Sequence, residues 1–332
     1  MSRLSSWFID PIAYFVTGVC PWLAFGSLDM YASLDLGKPG DPLPEGYLNY
    51  RQDEGHLARE CAASTRYRLI GREGRRGTGW HFGPFWFEKY VGDVEPAPAA
   101  GGPRRMIIWQ QVTRTDAPPG WKRSRSVMNV RMTGFAAVGS KDEYFKNWTP
   151  HARRHRNRWM KQNEWEIVAP TLGEFLAAYK LARKDAFLKH LFSGLLREQI
   201  RAHGGLVRWI GIRRKNGDGR IEAGFAFVDV PESRQSIHLI SFIHESARHD
   251  AVGFGMMDHW FRYAIDHGIR FLDFDRFWAP GEPPSWKGFS RFKSQFGIRF
   301  IRYPYPLVRW VGQWSEVFAR NPLGARGGRE LA

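Results

Sequence analysis

From Thr171 onward the apolar positions fall into two periods in succession. Residues 171–182 and 185–203 repeat at the three-to-four spacing of amphipathic helices, and the second ends at Gly204-Gly205, a helix stop. Three apolar runs follow, VRWIGIRR, IEAGFAFVDV and SIHLISFI. The first two are joined by KNGDG, and together they predict consecutive antiparallel strands. A helix over 254–267 stops at Gly268, and the run 269–276 predicts a strand. A loop holding Pro280, Pro283 and Pro284 then leads to SRFKSQFG and a last strand, RFIRYPY. This order predicts an α/β fold, a mixed sheet with flanking helices.

Before Thr171 the pattern is coarser. Ser140 and Glu143 have the spacing of a capping box and predict a helix through Tyr144 and Phe145. Thr149-Pro150 predicts a second start, for the helix PHARRHRNRWMKQ. Residues 106–113 and 126–132 are strand candidates and 53–63 a helix candidate. The stretches 37–46 and 94–105 are rich in Gly and Pro and read as loops. GTGWHFGPFWFEKY, rich in Gly and aromatics, has no assigned element, and no repeat of fixed period is present.

With 332 residues, 43% hydrophobic and 15% aromatic, the chain can bury a real core, which argues against disorder. Cys20 and Cys61 are too few for a disulfide scaffold and read as reduced thiols, which points to the cytoplasm. Residues 7–28 are strongly apolar, but Asp10, Pro11 and Pro21 would break a spanning helix. They read as a buried or bridging segment, with docking on the inner membrane surface as the alternative.

The net charge is +16, and 101–161 alone holds fourteen basic residues against three acidic ones. Such a field favours polyanions: nucleic acid, phosphorylated cofactors or an anionic membrane. On the predicted helix, Arg153, Arg154, Arg156 and Arg158 spread around the axis, whereas Arg154, Arg158 and Lys161 share one side. These three are the candidates for substrate phosphate, with a solvated face as the alternative.

Strand alternation puts Asp273 and Asp275 on one face, where two carboxylates can position or deprotonate an amine, and Arg276 on the other. An ion-paired strand end is the plainer reading. His151 and His155 have helical metal spacing but stand among arginines, so no metal is expected. His244 and His249, flanking Glu245, are loop histidines able to act as bases. Several tryptophans beside Arg or Lys, among them Trp109, Trp121, Trp148, Trp159 and Trp286, suit core and rim better than base stacking.

Three stretches, GSKDEYFKNWTPHARRHRNRWMK, YAIDHGIRFLDFDR and FSRFKSQFG, resemble in order and spacing the FemAB-like and BioF2-like branch of the GNAT acyltransferases. The resemblance spans about 140–305. It implies a GNAT-like fold with two lobes: a degenerate one over 1–140, with 313–332 packing back on it, and an acyltransferase lobe over 141–312. It implies N-acyl transfer from acyl-CoA or aminoacyl-tRNA to an amine acceptor such as a cell-envelope precursor. It assigns Asp273, Asp275 and Lys293 to catalysis, and Gly253, Gly255, Arg276 and Phe292 to the donor. Asp250 stands where the family's phosphate loop carries Gln or Arg. The competing reading is a non-catalytic nucleic-acid-binding protein on a decayed transferase scaffold.

Overall fold

The computed structural model describes residues 29–31, 34–48, 52–64, 67–72, 75–82, 85–97, 105–124, 130–182, 186–280 and 286–312. The apolar segment 7–28, the tail 313–332 and most of the expected strand 126–132 lie outside them.

The described residues build two sheets. The first has six strands, in the order β1 (Arg68–Arg72), β2 (Arg75–Phe82), β3 (Phe85–Val91), β4 (Arg105–Gln110), β13 (Leu307–Val311) and β5 (Lys122–Arg123). All its pairs are antiparallel except β3 with β4. The second has seven strands, in the order β12 (Arg299–Arg302), β6 (Met132–Ala137), β11 (Phe271–Arg276), β10 (Gln235–Ile243), β9 (Ala223–Val230), β8 (Val207–Arg214) and β7 (Trp165–Val168). There only β10 and β11 run parallel. The helices are α1 (Glu54–Ala63), α2 (Pro150–Lys161), α3 (Leu172–Ala182), α4 (Ala186–His203), α5 (Val252–Asp266) and α6 (Lys287–Lys293).

β9 explains the layering. All eight of its residues are buried, as in a central strand covered on both faces. Phe225 and Phe227 meet Trp260 of α5, while Ala226, Val228 and Val230 join the cluster of Phe175 and Tyr179 from α3. The parallel β10–β11 pair is reached through α5, as a crossover requires.

The two sheets exchange strands. β6 precedes residue 140 but sits between β11 and β12, and β13 returns from the C-terminal part to lie between β4 and β5.

Several local expectations change. Residues 141–147 are turns rather than a helix, with the Glu143 and Tyr144 amides donating to Ser140 O. Pro150 pushes Thr149 to an extended conformation (ψ 154°), leaving too little chain for a stable helix before it. Thr149 does cap α2, accepting from the Ala152 amide at 3.2 Å. GTGWHFGPFWFEKY forms most of the β2–β3 pair. Its glycines mask a strand, yet at Gly79 a Cβ would lie 2.2 Å from Trp86, so close packing demands glycine.

Candidate active site

β10 and β11 pair only from Gln235–Ile237 to Phe271–Asp273, and then part. On one side of the opening β10 is irregular between His238 and Ile240. On the other, β11 shifts register between Asp273 and Arg276. These irregularities lie in the ladders to the outer neighbours, β9 and β6, and bend each strand where the two part, while the parting leaves their facing backbone groups without a strand partner.

The three residues expected to be catalytic converge on the β11 irregularity. Asp275 has φ +54°, a left-handed conformation that is costly for a non-glycine residue. Its amide donates to Asp273 Oδ1 at 2.6 Å, and Tyr47 OH donates to Asp273 Oδ2 at 2.7 Å. Lys293, at the end of α6, donates from Nζ to Phe274 O at 2.5 Å and more weakly to Arg276 O at 3.4 Å, the carbonyls on either side of Asp275. Burial lowers the Lys293 ammonium to about 8, against the opposing charges of Asp275 and Asp273. Asp273 and Lys293 thus hold the backbone that presents Asp275. The alternation that would place both carboxylates on one regular strand face gives way at Asp275.

Asp275 lines a cavity of about 170 Å³ between β10, α4 and α1. Its apolar wall includes Leu195, Leu196 and Ile240, and His56, Glu60 and Gln199 supply polar groups. Gln199 Nε2 donates to Glu60 Oε1 at 2.7 Å. Burial acts to raise the Glu60 carboxyl, but His56 and Gln199 outweigh it and hold the group at about 2. His56 and Glu60 come from the first half of the chain. Their four-residue spacing within the helix candidate 53–63 was the available sequence signal, and nothing in sequence order links it to β10.

At the other end of the opening stands the N-terminus of α5. Its N-cap, Ala251, has φ 60° and makes no side-chain capping bond. Gly253 lies in the first turn, packed against Ile243 and Phe292. Gly255 serves helix packing: a Cβ there would lie 2.3 Å from the Trp159 ring of α2. Asp250, which stands where the phosphate loop of the resembled family carries Gln or Arg, is paired with Arg214 at 3.3 Å. Phe292 packs on Phe254 and Phe296, and the Arg276 guanidinium lies 5.1 Å from the Trp286 ring centre.

The arginines of α2 divide by burial. Arg156 is buried, bonded to Asp258 and Tyr144, and lies 4.1 Å from the Phe145 ring centre. Arg153, Arg154, Arg158 and Lys161 are exposed. His155 stacks on Phe254 at 4.8 Å, so α2 borders the start of α5. His244 is buried between Ala178 O and Arg220, unlike an exposed loop histidine. Trp109, Trp121, Trp148 and Trp159 are core residues.

No family model matches the sequence, and no curated protein does. The fold is similar to that of FemX, with a TM-score of 0.55 and 11% identity over 78% of this chain and 91% of that one. It is also similar to L-PGS from Bacillus licheniformis, with a TM-score of 0.50 and 12% identity over 83% of this chain and 94% of that one. The expected α/β architecture of mixed sheets with flanking helices is therefore the observed one, and its fold is similar to that of FemX.

Proposed function

We propose that this protein is an N-acyltransferase that moves an acyl or aminoacyl group from acyl-CoA or aminoacyl-tRNA to an amine held in the cavity beside Asp275. The observation that carries this reading is the parting of β10 and β11 next to a cavity into which Asp273 and Lys293 fix Asp275.

In the proposed step the amine nitrogen attacks the donor's acyl carbon. Its proton passes to the Asp275 carboxylate, and the bond to the CoA sulfur or tRNA oxygen breaks. Backbone amides at the β10 irregularity support the oxyanion. Asp273 and Lys293 are positioning residues in this scheme. The donor's phosphates lie toward the α5 N-terminus, where Gly253 presents backbone and the exposed Arg154, Arg158 and Lys161 of α2 supply positive charge. A cell-envelope precursor suits the acceptor role by analogy with the branch. The protein works in the cytoplasm, with contact at the inner membrane surface left to residues 7–28. Among the described residues no helix is long and apolar enough to cross a membrane.

The exposed basic side of α2 also supports the rival reading, plain nucleic-acid binding. Thermal shift with acetyl-CoA, longer acyl-CoAs, charged tRNA and uncharged tRNA separates the two, since a ligand of the native state raises the melting temperature. A donor-specific rise, with transfer to an amine abolished in Asp275→Asn, is expected. An equal, salt-sensitive response to both tRNAs, with no transfer from any donor, would replace the enzyme with the binding protein.

A further inference from the structure

α1 carries His56 and Glu60 one turn apart, and α4 ends at His203, so residues distant in sequence meet where the two helices pack. His56 Nε2 lies 3.3 Å from Glu60 Oε1, and the His56 and His203 rings stack at 4.4 Å. One potential ligand atom from each of the three residues lies within 4.8 Å of the other two. The carboxylate is already oriented, because Gln199 Nε2 donates to it. His203 is only 5% exposed, yet its Nε2 has no hydrogen-bond partner. A buried ring nitrogen left this way is costly unless something binds it.

Two imidazoles and one carboxylate form the nitrogen–oxygen donor set of zinc-class divalent ions. We propose that His56, Glu60 and His203 bind one such ion, tying α1 to α4, with its remaining position toward the cavity that His56 and Glu60 line. The nearest opposing charge is Arg59, whose guanidinium is taken up in a two-pronged pair with Glu232 at 2.6 and 3.1 Å. Arg59 Nε also donates to His203 Nδ1 at 3.2 Å. Metal binding through His203 Nε2 places the ring hydrogen on Nδ1, and this bond is given up.

The test is titration of the metal-free full-length protein with Co²⁺, followed by visible absorption, with Zn²⁺ displacing it. One equivalent should bind with the bands of a low-coordinate site, and Zn²⁺ should raise the melting temperature. Glu60→Gln should weaken binding by about a hundredfold or more, since even outer partners of a ligand are worth about 10–100-fold. Should that variant misfold, Gln199→Ala, which leaves all three ligands in place, should weaken it by about tenfold. His151→Ala/His155→Ala, which removes the other helical histidine pair, should bind normally. Absence of a stoichiometric site, binding unchanged in both Glu60→Gln and Gln199→Ala, or binding lost with His151 and His155 would overturn the proposal. None of these readouts depends on acyl transfer.

Discussion

Asp273→Ala distinguishes a positioning carboxylate from a catalytic one. Asp273 accepts from the Asp275 amide and from Tyr47 OH, and it is 1% exposed. Alanine removes both acceptors, and a buried donor deprived of its acceptor costs about 1–3 kcal/mol. The two losses should sum to roughly 2–6 kcal/mol, a large part of a domain's net stability. Asp275 would also keep its left-handed backbone without the carboxylate that holds it. Asp273→Ala/Asp275→Gly should then regain about 1 kcal/mol, because glycine adopts positive φ without the Cβ clash. Tyr47→Phe, which removes one bond and leaves the amide satisfied, should cost about 1 kcal/mol. Urea unfolding followed by circular dichroism measures all four proteins, with acyl transfer assayed in parallel. Asp273→Ala within about 0.5 kcal/mol of the parent but inactive would refute the reasoning and return Asp273 to a direct catalytic role.

Three further outcomes are expected. Lys293 titrates at about 8 in the folded chain against an ordinary 10.5, so between those values the unfolded state binds more protons and stability rises with pH. The rise should reach about 3 kcal/mol and vanish in Lys293→Met, while activity falls above about pH 8 as the ammonium that grips Phe274 O loses its proton. Gly255→Ala forces a methyl against Trp159 and should cost about 1–3 kcal/mol in a chemical denaturation series. Arg154→Glu/Arg158→Glu, on the exposed side of α2, should weaken tRNA binding and flatten its salt dependence by about two phosphate contacts, measured by filter binding across salt concentrations.

The second half of the chain was the more legible. Its strands alternate or run continuously apolar, its helices end on Gly204 and Gly268, and the order from Thr171 to Tyr305 reads off with small boundary shifts, except for α6, which falls where the sequence reading placed no element. The first half was obscured by close packing. β2 contains Gly77 and Gly79 because Lys89 O and the Trp86 ring of β3 crowd the space a side chain would need. The helix expected after Ser140 failed because the proline that starts α2 also forbids continuing into it.

Of the candidate site, the sequence singled out Asp273, Asp275 and Lys293 and the helix that starts at Val252. Strand period, glycine stops and local motifs are short-range signals, and each of these residues lies inside one. Only the tertiary structure decided what they do together: that Asp273 and Lys293 grip the backbone around Asp275, and that Gly255 admits Trp159. It alone placed β6 and β13 in sheets distant from their sequence neighbours, and brought His56 and Glu60 to His203. Strand exchange and helix docking are set by burial summed over the whole chain, and a contact between residues more than a hundred positions apart leaves no periodicity in either segment.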